Sequence, residues 1–197
     1  MHDNGSVDGE GRVDEQERDT DGDATPRMLA WAKNSAAYRL SRRMMSEYEL
    51  VVAIRRKARQ KFEAISERQV ERLVETALQF GRQVGALDDT AYAGVKARSA
   101  ARAGKSKRMI TRKLSEKGIA STTIGEALHE TDDLRAAVVF ARKRALGPYR
   151  RVELDLQRRQ KEFAAFARNG FAQDIARRVL IMEMDEAEVI LLDGGQI

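Results

Sequence analysis

The chain has 197 residues, of which 42% are hydrophobic, 34% charged and 6% aromatic, with two prolines and no cysteine. Without cysteine there is no disulfide framework, cysteine zinc cluster or thiol nucleophile, and a reducing cytosol suits such a chain. The net charge of +5 hides an asymmetry: residues 1–24 carry nine acids against Arg12 and Arg18, which leaves a net of +12 on the remainder.

The acidic stretch has only Met1, Val7, Val13 and Ala24 as apolar side chains, too few to offset the entropy of ordering. Residues 1–25 are therefore expected to be a disordered tail, and they lack the basic and apolar regions of a secretory signal. Helical spacing begins at Thr25-Pro26, an N-cap followed by proline at the first helical position, and continues through Leu29, Ala32, Ala36, Leu40 and Met44. Ser46 with Glu49, and later Ser66 with Gln69, form capping boxes. The first opens a helix bearing Leu50, Ile54 and Ala58; the second opens one bearing Val70, Leu73, Val74, Ala77 and Val84, stopped by Gly85.

The pattern then returns. Asp88-Asp89 precede a helix with Tyr92 and Val95, and Gly104 precedes one with Ile110 and Leu114. At Lys117-Gly118-Ile119 a left-handed glycine would fold Ile119 back on Leu114, after which Ser121 starts a short helix with Ile124 and Leu128. A third round opens at Asp132-Asp133 with Leu134, Ala137, Val138 and Ala141, and is closed by Gly147-Pro148. A helix with Leu156, Phe163 and Phe166 follows, stopped at Asn169-Gly170-Phe171, and Ile175 and Val179 occupy the places of Ile124 and Leu128. Recurrence of the stop signals marks a repeat. The fold is expected to be all-α, with three tandem three-helix units forming an elongated, curved array. The units span residues 26–87, 88–131 and 132–185, with residues 186–197 as a C-terminal tail.

Catalytic chemistry finds little support. His2 lies in the acidic tail and His129 at a helix end, where a solvated or capping role is far commoner than catalysis. The paired aspartates precede helices, where capping is a better account than metal binding. Gly104-Lys105-Ser106 ends like a phosphate-binding loop, but Ser99 stands where the first glycine belongs and no strand precedes it. No nucleophile, base and orienting group can be assembled, so the protein is expected to be no enzyme and to use no cofactor or metal. The apolar run Val189-Ile190-Leu191-Leu192 is too short to span a bilayer.

The basic residues carry more information. They cluster at Arg42 and Arg43; at Arg55, Arg56 and Lys57; and at Lys105, Lys107, Arg108, Arg112 and Lys113. The third unit adds Arg142, Lys143 and Arg144, with Arg150 and Arg151. Any one of these could be a solvated helix face, but stacking the units would set the clusters in a row that fits an extended polyanion or an acidic filament groove. Trp31, Tyr38, Tyr48 and Tyr92 occupy helical positions where a core or interface role is commoner than base stacking.

Several stretches resemble the RecX family of recombinase regulators. They include Arg42 to Leu50, the junction Gly85-Ala86-Leu87-Asp88-Asp89-Thr90-Ala91-Tyr92-Ala93, the run from Gly104-Lys105-Ser106 to Lys117-Gly118-Ile119, and Asn169-Gly170-Phe171. Ser106 and Ala58 stand where the family commonly has glycine. The resemblance implies a cytoplasmic, non-enzymatic partner of the RecA filament. It would lie in the filament groove and inhibit ATP hydrolysis, strand exchange and co-protease activity. A monomer is expected. The alternative is a basic helical protein that binds DNA or RNA directly, without a filament.

Overall fold

The computed structural model describes residues 23–193. The expected disorder of the tail falls, for residues 1–22, outside that range, as do His2 and residues 194–197. Ten α-helices and one 3₁₀ turn, and no strand, make up the described residues. The first three are α1 (Pro26–Leu40), α2 (Glu47–Lys61) and α3 (Glu67–Gln83). Next come α4 (Asp89–Arg102), α5 (Lys107–Ser115) and α6 (Ser121–His129). The last group is α7 (Asp133–Arg144), a 3₁₀ turn (Gly147–Tyr149), α8 (Leu156–Arg168), α9 (Gln173–Ile181) and α10 (Met184–Asp193).

The core is divided in the same way. Met28, Ala32, Ala36, Leu50, Ile54, Ala58, Leu73, Val74, Ala77 and Leu87 form one buried cluster. Tyr92, Ala93, Ala97, Ile110, Leu114, Ile119, Ile124 and Leu128 form a second. Phe140, Phe166 and Phe171 anchor a third, with ring centroids 5.2–5.7 Å apart. Each cluster draws on one contiguous stretch of chain, as a tandem array requires.

The caps fall where they were expected. Thr25 accepts from the Met28 amide, and both capping boxes form. The glycine stops are Schellman turns: the Ile119 amide donates to Leu114 O at 3.1 Å and the Phe171 amide to Phe166 O at 3.2 Å. Gly104, at φ +79°, closes α4 in the same way, so Gly104-Lys105-Ser106 is a helix stop followed by the Ser106 cap of α5.

Several expectations are corrected. Met44 is exposed beyond the end of α1, and Met28 and Met45 are buried instead. Val84, Val95 and Leu156 are also exposed, the last at 74%. Each lies at a helix end or on the outer face, where continuing the apolar period no longer meets a neighbour. Ser121 does start α6, as expected, with Ala120 at the N-cap offering no side-chain bond. Helix α7 closes at Ala145, a non-glycine residue at φ +53°, before Gly147 is reached. Residues from 186 onward are no tail as far as Asp193: they belong to α10, which buries Ala187 and packs on α7. Six consecutive residues of α7, Ala136 to Ala141, are buried, because α9 and α10 cover faces that a two-helix contact would leave wet.

Candidate partner-binding site

The joints between units fix where every surface residue stands, and the paired aspartates build them. Asp88 Oδ1 accepts from the Thr90 and Ala91 amides and so caps its own helix. Asp89 reaches back and accepts from the Glu47 amide at 2.9 Å, capping α2 of the preceding unit. Asp132 and Asp133 repeat this division of labour, Asp133 accepting from the Lys107 amide at 2.7 Å. Burial pushes both Asp89 and Asp133 above the usual carboxylate range, against the pull of these amide bonds.

Two fully buried serines complete the joints. Ser46 Oγ accepts from the Glu49 amide and donates to Lys117 O at 2.8 Å. Ser106 Oγ accepts from the Met109 amide and donates to Asn169 O at 2.7 Å. The C-terminus of α5 thus abuts the N-terminus of α2, and that of α8 abuts α5. The second helices run head to tail with their dipoles in series. Glycine is required there by space as well as by backbone. A Cβ on Gly118 (φ +76°) would lie 2.5 Å from Tyr48 Cβ, and one on Gly170 (φ +79°) 2.8 Å from Ser106 Oγ.

The first joint carries an additional ionic hub. Glu49 faces Lys117 Nζ at 2.9 Å, the Ser46 amide at 3.3 Å and Arg43 at 3.3 Å. Burial would raise its carboxyl, but the Lys117 and Ser46 bonds and the Arg43 charge prevail and hold it below the usual range. Burial, then the Glu49 charge, pushes the nearby Tyr92 hydroxyl up to about 12.

Beside this hub lies a cleft of about 470 Å³, lined by Tyr38, Arg39, Arg42, Arg43, Met45, Tyr48, Glu49, Val52, Ala53, Arg56, Glu116 and Lys117. It collects Arg42, Arg43 and Arg56 from the expected set. Tyr38 and Tyr48 are exposed at 58% and 52%, so of the core and interface roles expected for them the core role is corrected. The Arg42 guanidinium sits 4.6 Å from the Tyr38 ring centroid, a cation–π contact. The Tyr38–Arg42 spacing of four residues was the available signal for this pair.

The other expected residues divide four ways. Lys57, Arg108, Arg112 and Lys113 stand on the outer faces of α2 and α5, with Lys105 and Lys107 half-buried at the start of α5; Arg55 is half-buried and pairs with Glu71 at 2.6 Å. Arg142 and Lys143 line a separate cleft of about 380 Å³ with Arg102 and Arg135, beside Leu191 and Leu192 of α10. Arg144 and Arg151 are exposed outside both clefts. Arg150 is a correction: its side chain is 16% exposed and is held by Glu162 at 2.7 Å. Glu162, 1% exposed, also accepts from Arg158 at 2.8 Å and from the Gly147 amide at 3.1 Å. Burial acts to raise its carboxyl, yet the two guanidinium groups and the amide hold it at about 2. No helix among the described residues is long and apolar enough to cross a membrane. Nor do they contain a group of three or more His, Asp or Glu side chains placed to hold a metal.

Comparison with known proteins is consistent in kind. The model of the second three-helix domain of RecX matches residues 88–128. The regulatory protein RecX of Agrobacterium fabrum is 58% identical over 170 residues, 86% of this chain and 92% of that protein. The regulatory protein RecX of Myxococcus xanthus is 39% identical over 101 residues, 49% of this chain and 54% of that protein. The crystal structure of a regulatory protein RecX superposes with a TM-score of 0.62 at 24% identity, covering 77% of this chain and 71% of that one. RecX from Lactobacillus salivarius gives 0.62 at 18% identity, covering 84% of this chain and 99% of that one, a likeness of fold.

Proposed function

The chain belongs to the RecX family of regulatory proteins, and on that premise we propose that it acts, without catalysis, on a RecA–DNA filament. It lies in the filament groove as a cytoplasmic monomer and inhibits ATP hydrolysis, strand exchange and co-protease activity. The observation that carries this reading is the head-to-tail row of second helices. Ser46, Ser106, Gly118 and Gly170 align α2, α5 and α8, and the row presents Arg56, Lys57, Arg108, Arg112 and Lys113 outward. Units bounded near residues 26–87, 88–131 and 132–185 would each meet a successive part of the groove.

The mechanism is differential binding: contacts that bridge neighbouring protomers favour one filament state over another and shift the balance between growth and disassembly. Cations in a row also speed the encounter with a polyanionic assembly. The test is the DNA-dependent ATPase of a RecA recombinase with this protein added below one molecule per recombinase protomer. Inhibition that weakens when Arg56, Lys57, Arg108 and Lys113 are changed to glutamate supports the reading. Unchanged ATPase at every ratio overturns it.

A further inference from the structure

We propose that the cleft at the first joint is a docking site for this chain's own acidic N-terminal segment, centred on Val13-Asp14-Glu15-Gln16-Glu17. Five cations and two carboxylates line the cleft, so it carries a positive excess. Arg39 Nε is buried there with no partner among the described residues, and Arg56 has no ion pair among them. The walls also hold exposed Tyr38, Tyr48 and Val52, an apolar surface that a purely polyanionic ligand would leave wet. The occupant that fits is an acidic peptide with an apolar anchor.

Residues 1–22 have that chemistry: eight acids against Arg12 and Arg18, with Val7 and Val13 each followed directly by aspartate. Their point of entry is fixed. Asp23 O accepts from Gln69 Nε2 at 3.1 Å, and Asp23 faces Arg68 at 3.8 Å, at the N-terminal end of α1. The cleft lies at the opposite end of α1, a helix of 15 residues and hence about 22 Å long. Val13 lies ten positions before Asp23, which at about 3.3–3.6 Å per residue reach about 33–36 Å. The span is sufficient, and tethering raises the segment's effective concentration at the cleft toward the millimolar range. A polyanionic partner that uses Arg42, Arg43 and Arg56 must then displace the segment first, a consequence that rests on the filament reading; the docking itself does not.

The chain contains no cysteine, so Gln16→Cys in the full-length protein takes a nitroxide label at one place. Amide resonances then report proximity by paramagnetic broadening, with no recombinase present. Broadening should be several-fold stronger at residues 38–56 and 116–117 than on the outer face of α8. It should be lost in 1 M salt, where the screening length is about 3 Å, and in the tail variant Asp14→Asn/Glu15→Gln/Glu17→Gln, which leaves the folded body untouched. Broadening spread evenly over α5 and α8, or confined to residues beside Asp23, overturns the proposal. So does broadening at the cleft that survives the tail variant in full.

Discussion

The two joints of the array share one construction and differ in the ion pairs around it. At each, a buried serine binds a carbonyl of the following unit, an aspartate caps the preceding unit's second helix, and a glycine lets two helix ends meet. At the first joint the third residue of that second helix is Glu49, tied to Arg43 and Lys117; at the second it is the half-buried Met109. The common parts set how units stack. The glutamate adds an ion-pair hub to the first joint, at the place where the basic cleft opens.

The third unit sharpens the contrast, because its ionic centre, Glu162, lies inside the unit and not at a joint. Glu162→Leu removes a buried charge from two arginines and should cost about 3–5 kcal/mol, read as a lower midpoint in urea melts. The sign of its pH dependence follows from the depressed carboxyl, held at about 2 against 4.5 unfolded. Its contribution is complete above the unfolded value and is lost as pH falls from 4.5 through 2. Acid melts of the wild type should therefore fall more steeply over that interval than those of Glu162→Leu.

Next in size, Gly118→Ala and Gly170→Ala test the shared construction. Each forces a side chain into a left-handed backbone, at about 1–2 kcal/mol, and crowds its neighbour, at about 1–3 kcal/mol. Losses of about 3 kcal/mol at both sites by thermal melting would support equivalence; loss at one alone would break it. Glu49→Gln tests the difference. It should cost about 2 kcal/mol, in the range for hydrogen bonds to charged groups, and the penalty should shrink in high salt, whereas Met109→Leu should be near neutral under both conditions. Smallest, Asp89→Asn and Asp133→Asn should each change stability by less than about 1 kcal/mol, since an amide oxygen still accepts the helix N–H. Burial raises both carboxyls, so their charge weakens the fold as pH rises through the folded value, the opposite of Glu49 and Glu162. The asparagine variants should remove that slope.

The helices were legible because their ends are written in short-range chemistry: Thr25, the two capping boxes, and the glycines at 118 and 170 need no partner to be recognised. What stayed hidden depends on residues distant in sequence. Asp89 and Asp133 looked like local caps, yet each serves a helix that begins 42 or 26 residues earlier. Nothing in the sequence singled out Glu162, because its burial depends on the 3₁₀ turn that places Gly147 and Arg150 beside it. For Tyr38 and Tyr48 core and interface stayed open, because the period of α1 and α2 could not show that the joint leaves them facing a cleft. The basic surface was visible as composition; the division into cleft, outer faces and a buried pair was not.

The joints also determine how long the array is. At its far end α8 begins with Asp155, an exposed cap that serves only its own helix, where the inner units offer a buried serine with a hydroxyl for the next carbonyl. At the near end α2 runs out through extended Phe62 to Ala64 at φ +51°, with no glycine turn to seat against another unit. Neither end can accept a further copy by the join used inside. The molecule is therefore of set length, with a head and a foot that cannot exchange places.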